Sequence, residues 1–304
     1  MRGDSGTDGL TSRRRGQPSP LIPLNRDGTR PMSHRFALVT GGTSGIGAGF
    51  ARALSADTGL LLAARNAEAL NTAKTELEAA GRRVEVLATD LTTDAGRDAL
   101  IQKAETLEID LLINNAGSGA FGPVLDNSPE AERATVELNV VATTVLTRAL
   151  LPGMIERAAR DGRRAGLILL SSTAAFQPIP FLGTYCASKS FVLAYGEALA
   201  TELKRKPVDV LVLCPGPTRT AFGKRAGFAL NALPGAADPL DVAREGLQAL
   251  GRRTVHVHGF GTRNMLRPFL WSRHAASDGL GALLAAFDRG QRAGRTARPS
   301  REKV

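Results

Sequence analysis

Cysteine is scarce: the 304 residues hold two, Cys186 and Cys214, in no paired spacing. That excludes a disulfide framework and a zinc knuckle, and it suits a reducing, cytoplasmic setting. Aromatic residues amount to 5% of the chain, with two tyrosines and one tryptophan. No apolar run approaches the ~18 residues a membrane-spanning helix needs; Leu60–Ala64 and Leu280–Phe287 are the longest candidates. The opening MRGDSGTDGL has no apolar segment after its charge and does not read as a secretory signal. Of the four histidines, His256 and His258 alternate as on a strand, but no third ligand accompanies them, so no metal site is expected.

Arginine is abundant and gives the chain a net charge of +10. Residues 1–35 carry +4 and residues 289–304 carry +5, leaving +1 for the 253 residues between them. Basicity confined to two tails reads as solvated, disordered ends rather than a nucleic-acid surface. A weak contact with a membrane surface is the alternative use of such a tail.

Residues 1–34, rich in Gly, Ser, Pro and Arg without hydrophobic period, read as a disordered extension. From residue 35 to 260 short apolar runs alternate with helical patterns. The runs are FALVT (36–40), GLLLAA (59–64), VEVLA (84–88), IDLLIN (109–114), GLILLS (166–171), VDVLVLC (208–214) and TVHVH (254–258). The helical patterns cover 48–54, 67–80, 95–107, 129–151, 185–204 and 239–250. This alternation predicts an α/β fold: a single doubly wound, Rossmann-type domain on a parallel sheet of about seven strands. Residues 261–288 read as extra C-terminal helices, and 289–304 as a basic tail.

Directly after the first run comes TGGTSGIG, Thr40–Gly47. Glycines between a strand and a helix leave room for a pyrophosphate at the helix N-terminus, whose unpaired N–H groups favour an anion. A carboxylate ending the second strand would bind the ribose hydroxyls of NAD, but LLLAARN places Ala64 there and Arg65 next. A guanidinium at that point pairs with a 2′-phosphate, which favours NADP(H) over NAD(H).

The spacing of Gly41, Gly45 and Gly47 resembles the TGxxxGxG turn of the short-chain dehydrogenase/reductase family. Further elements follow in the family's order: NNAG (Asn114–Gly117), Asn139, Ser172, YCASK (Tyr185–Lys189) and CPGPTRT (Cys214–Thr220). The resemblance spans residues 36–260. It implies a catalytic group of Asn139, Ser172, Tyr185 and Lys189. It also implies a cofactor site of Gly41, Thr43, Ser44, Gly45, Ile46 and Gly47, with Arg65, Asp90 and Leu91, then Asn115, Ala116 and Gly117. Tyr185 and Lys189, then Pro215, Gly216, Thr218 and Thr220, complete it. Asp90 reads equally as a strand-end cap, and Ser171 is the neighbouring alternative to Ser172.

Tyr185 and Lys189, four apart, share a helix face. A phenol with pKa ~10 is a poor acid–base group near neutrality unless cations beside it favour the phenolate. The expectation is that Lys189 and an oxidised nicotinamide ring do this, so that Tyr185 exchanges a proton with a carbonyl or alcohol oxygen. Cys186 and Cys214 read as small buried residues.

Phe121, the FQPIPF stretch (Phe176–Phe181) and Phe222–Leu230 predict an apolar pocket for a small hydrophobic carbonyl or alcohol substrate. The resemblance further implies a homodimer paired through the helices bearing Asn139 and Tyr185. An NADPH-sensing regulator and an epimerase-like enzyme share the fold, but the intact Ser172–Tyr185–Lys189 set argues for carbonyl reduction or alcohol oxidation.

Overall fold

Seven strands, each three to seven residues long, form one sheet in which every pairing is parallel. In this computed structural model the described residues are 34–225 and 236–259. The strands are β1 (Phe36–Thr40), β2 (Gly59–Ala64), β3 (Val84–Ala88), β4 (Leu111–Asn114), β5 (Ala165–Leu170), β6 (Val208–Cys214) and β7 (Val255–Val257). Their spatial order is β3-β2-β1-β4-β5-β6-β7, so the order reverses at β1. The helices are α1 (Gly45–Ala53), α2 (Ala67–Ala79), α3 (Asp94–Thr106), α4 (Pro129–Val136), α5 (Thr143–Arg160), α6 (Gly183–Glu202), α7 (Phe222–Arg225) and α8 (Pro239–Ala249). A π-helical turn, Glu137–Ala142, joins α4 to α5, and a 3-10 turn, Thr173–Phe176, follows β5.

Parallel strands buried on both faces need apolar residues in both directions of the pleat, which explains the unbroken runs. Alternate strand residues then divide between two cores. Leu38, Leu61, Leu112, Leu167 and Leu169 pack with Leu100 of α3, Leu146 and Met154 of α5 and Val192 of α6. Val39, Leu60, Leu62, Ile113, Ile168 and Leu213 pack with Phe50 of α1, Leu70 of α2 and Val242 of α8. Glycines let α1 and α8 meet closely: a Cβ on Gly49 would lie 2.5 Å from the Pro239 carbonyl oxygen.

Three expectations change. The helix predicted to stop at Leu151 continues through Pro152 to Arg160. Pro152 is exposed, so water can satisfy the carbonyl one turn earlier that its ring leaves unpaired. The helix then carries Arg157, whose guanidinium donates to the Ile109 carbonyl at 2.7 Å. The fourth strand starts at Leu111 rather than Ile109. His34, expected in the disordered extension, is buried, and its carbonyl accepts from the Thr58 hydroxyl at 2.9 Å.

The continuous helix from Pro129 to Arg160 is the one described helix long and apolar enough to cross a membrane. Its apolar residues Leu146, Leu150 and Met154 lie in the core beside the sheet. The expectations for residues 1–33, 226–235 and 260–304, which include the rest of the N-terminal extension, the end of the apolar pocket, the C-terminal helices and the basic tail, fall outside the described residues.

Candidate active site

The carboxyl ends of β1 and β4 lie at the point where the strand order reverses, the usual site of a crevice in an open α/β sheet. Two short segments are joined there. The Thr40 hydroxyl accepts from the backbone N–H groups of Asn115 and Ala116, each at 2.9 Å. The Asn115 amide donates back to the carbonyls of Thr40 at 2.8 Å and Gly41 at 3.3 Å. Gly41 and Gly45 have φ of +67° and +55°, a region costly for other residues. A Cβ on Gly47 would fall 2.2 Å from the Gly41 oxygen and 2.6 Å from the Asn115 amide nitrogen. The turn tolerates nothing larger.

Helices α2, α3, α4 and α8 each open on a side chain that accepts from a first-turn N–H: Asn66, Thr93, Ser128 and Asp238. Helix α1 opens on Ser44, which makes no such bond. Its first-turn donors are therefore left for another acceptor, and the glycine turn leads a phosphate to them. This chain thus has the donors and the clearance that a dinucleotide requires. Thr43 and Gly42 also line a cavity of about 400 Å³ that reaches Asn66 and Glu68 at the start of α2.

Arg65 is exposed at the end of β2. Asp90 caps the turn after β3 by accepting from the Thr92 N–H at 2.9 Å and hydroxyl at 2.8 Å. The Thr92 N–H, with the Arg65 guanidinium adding to it, holds the Asp90 carboxyl below the usual carboxylate range. Leu91 beside it is buried. Asp90 is therefore, in the free protein, the cap of this turn.

Across the crevice, the chain after β6 folds over the glycine turn: a Cβ on Gly45 would lie 2.8 Å from the Thr220 methyl. The Pro215 carbonyl accepts from the Thr173 N–H at 3.0 Å. Thr218 is buried and donates to the Gly216 carbonyl at 2.9 Å, while Thr220 accepts from the Phe222 N–H at 3.3 Å. Arg219 pins this segment to the Ala236 carbonyl at 2.6 Å and to Asp238 at 3.1 Å.

The catalytic candidates converge. The Ser172 side chain lies near enough to the Tyr185 phenol to favour its ionised form, and the Lys189 ammonium nitrogen is 5.8 Å from the centre of the Tyr185 ring. That nitrogen donates to the Leu170 carbonyl at 2.9 Å. Gly117 fits against Lys189 and Asn139, with both 3.2 Å from where its Cβ would be. Asn139 is fully buried in the π-helical turn. Its amide donates to the Ser118 carbonyl at 2.9 Å and the Ser188 hydroxyl at 2.8 Å, and its oxygen accepts from the Ser118 N–H at 2.9 Å. The geometry also separates the neighbouring serines. Ser171 is buried, with its hydroxyl on the Lys189 backbone carbonyl at 2.7 Å, whereas Ser172 meets the phenol.

Electrostatics differ from the expectation in one respect. Burial pushes the Tyr185 phenol up to about 12, against the lowering effect of the nearby Ser172 hydroxyl. Burial pushes the Lys189 ammonium down to about 8. The protein alone does not activate the phenol, because the cost of a buried phenolate exceeds what the surrounding groups return. Burial likewise pushes the thiols of Cys186 and Cys214 up to about 11 and about 12, which leaves them unreactive. His256 and His258 share one carboxylate oxygen of Glu245, at 2.9 and 3.0 Å. Among the described residues no group of three ligands is placed to hold a metal ion.

Sequence reasoning missed three contacts. Phe222 packs against Tyr185 with the rings tilted by 43° and their centres 5.2 Å apart. Gly119 lies against the same ring, 2.9 Å from it at the position of a Cβ. Ser188 holds Asn139; its place three residues after Tyr185 and one before Lys189 put it near the catalytic face of α6. Of the expected pocket residues, Phe121 and Phe181 face each other at 6.1 Å, and residues 226–230 lie outside the described residues.

A glycine-lined crevice that ends on a serine and a tyrosine side by side, with a lysine behind them, has the make-up of a dehydrogenase/reductase. Residues 35–228 match the family model for short chain dehydrogenases, and the chain belongs to the short-chain dehydrogenase/reductase family. The chain is 33% identical over 238 residues to dehydrogenase/reductase SDR family member 7B of Bos taurus, covering 72% of this chain and 71% of that one. Among solved structures it resembles a short-chain dehydrogenase from Sphingobium yanoikuyae in complex with NADPH, with 27% identity, a TM-score of 0.66 and coverage of 88% and 98%. It also resembles 3-ketoacyl-(acyl-carrier-protein) reductase from Brucella melitensis complexed with NADH, with 26% identity, a TM-score of 0.67 and coverage of 75% and 98%. Both of these solved relatives hold a nicotinamide dinucleotide, one with the 2′-phosphate and one without it.

Proposed function

We propose that the protein is a cytoplasmic, homodimeric NADP(H)-dependent oxidoreductase that interconverts a small hydrophobic ketone or aldehyde and its alcohol. One observation carries this reading: Ser172, Tyr185 and Lys189 come together at the end of the glycine-lined crevice. The cofactor, when bound, supplies or accepts the hydride. In reduction Tyr185 gives its proton to the carbonyl oxygen, and the Ser172 hydroxyl steadies the same oxygen as charge develops on it. In oxidation Tyr185 takes the proton back. A phenol raised to about 12 favours the first direction in the free protein. A cation brought next to it lowers that value and enables the second. Lys189, still largely protonated at pH 7, is the protein's own source of positive charge there. Asn139 holds the loop after β4 against α6.

Preference for the 2′-phosphorylated cofactor rests on Ala64 and Arg65 at the end of β2. Apolar substrate preference rests on Phe121, Phe181 and Phe222 around the crevice. Fluorescence titration with NADPH and NADH, followed by a panel of hydrophobic ketones and aldehydes, tests both. Turnover with NADPH that disappears in Tyr185→Phe supports the reading, and failure of the folded protein to bind either nucleotide overturns it.

A further inference from the structure

Helix α6 carries three buried or half-buried hydroxyl contacts around Lys189, and they serve different segments. Ser171 of the β5 end grips the Lys189 carbonyl at 2.7 Å, and Ser190 donates to the Ala175 carbonyl of the 3-10 turn at 2.8 Å. Ser188 faces neither. It is buried, accepts from the Asn139 amide at 2.8 Å, and donates to the Tyr185 carbonyl at 2.7 Å. The second bond is an ordinary back-bond within a helix turn. The first crosses from the π-helical turn and is the one side-chain bond described between Asn139 and α6.

We propose that Ser188 is a positioning residue: it registers the first turn of α6, with Tyr185 and Lys189, against Asn139 and the loop that Asn139 holds. The inference rests on the reading of Tyr185 as the acid–base group. Its physical content is a relay of fixed contacts. Ser118 is tied at both backbone groups to Asn139, Asn139 to Ser188, and Ser188 to the carbonyl of Tyr185 itself. On either side of Ser118, Gly117 rests against Lys189 and Gly119 against the Tyr185 ring. Without the Ser188 hydroxyl, a buried amide N–H loses one of its two acceptors, and the helix turn is left to packing alone. The ammonium-to-phenol separation then loosens, and with it the help that Lys189 gives to a phenolate.

NADP+ binding reads this without any substrate. A cation next to Tyr185 favours the phenolate, so binding releases a proton and NADP+ affinity rises with pH. Calorimetric titration with NADP+ between pH 6 and 9.5, in two buffers of different ionisation enthalpy, gives the titration midpoint of the phenol in the complex, the pH at which that rise sets in. In Ser188→Ala the midpoint is expected to move to higher pH by about one unit, with NADPH affinity at pH 7 within about twofold of the parent. Ser188→Thr retains the hydroxyl and should follow the parent. Asn139→Ala should shift the midpoint in the same direction, and the double variant no further, because the two act as one unit. If Ser188→Ala does not fold, Ser188→Cys, close in volume but a poor hydrogen-bonding group, should show the shift instead. A parent profile that rises with pH and is unmoved in folded Ser188→Ala overturns this inference alone, as does Ser188→Thr behaving like Ser188→Ala. A flat parent profile overturns the acid–base reading, and this inference falls with it.

Discussion

Asn139 and Ser118 are bonded twice, side-chain oxygen to backbone N–H and side-chain amide to backbone carbonyl, both at 2.9 Å. The asparagine side chain thus treats the loop after β4 as a neighbouring strand would, satisfying a donor and an acceptor of one residue. That loop carries Gly117 and Gly119, whose lack of a Cβ lets Lys189, Asn139 and the Tyr185 ring approach it. The active site is in this sense assembled on backbone as much as on side chains.

Tyr185→Phe keeps the ring that packs between Phe222 and Gly119 and removes only the hydroxyl. Turnover should fall on the order of 10²–10⁴-fold, the usual worth of a positioned acid–base group. Dinucleotide affinity at pH 7 should be little changed, and steady-state kinetics beside fluorescence titration separates the two effects.

Replacing Arg65 by serine should lower NADPH affinity roughly 10–100-fold, the worth of one charge-assisted contact. NADH affinity should stay as it was, because no 2′-phosphate is there to lose a partner. Equal weakening of both nucleotides would show that Arg65 serves the structure of the turn instead.

Gly47→Ala places a methyl 2.2 Å from the Gly41 oxygen. The expected cost is about 1–3 kcal/mol of stability from overpacking, together with loss of dinucleotide binding as the cradle is displaced. Chemical denaturation and nucleotide titration on the same variant measure both.

Lys189 yields a pH prediction. Its folded value lies near 8, below the ordinary lysine value, so between about pH 8 and 10.5 the unfolded chain binds more protons than the native protein. Stability from this group is therefore lowest below pH 8 and recovers as pH rises toward 10.5. Lys189→Met should stabilise the free protein at pH 7 by about 3 kcal/mol, with the advantage fading near pH 10, while turnover is lost. Urea midpoints at the two pH values decide it.

The strands were legible because each is a short apolar run, and burial on both faces demands such runs. The glycine turn, Tyr185 and Lys189 were legible because their spacing is local. Three features were not. The extension of α5 past Pro152 depends on the solvent exposure of that residue, which no propensity carries. The choice between Ser171 and Ser172 depends on which way the chain leaves β5. The raised Tyr185 phenol depends on desolvation of its half-buried ring, a property of everything packed around it rather than of Lys189 four residues away.

The π-helical turn at Glu137–Ala142 has a consequence for how this segment tolerates change in length. A π-turn accommodates an extra residue within an otherwise α-helical path. Removing a single residue from it, Val140 for example, would let the helix close into uninterrupted α geometry. The helices on either side would stay in register and keep their packing, while the bulge that carries Asn139 to Ser118 and Ser188 would be lost. A deletion there would disturb the site while sparing the helix, because Asn139 is held by a count of residues as well as by its chemistry.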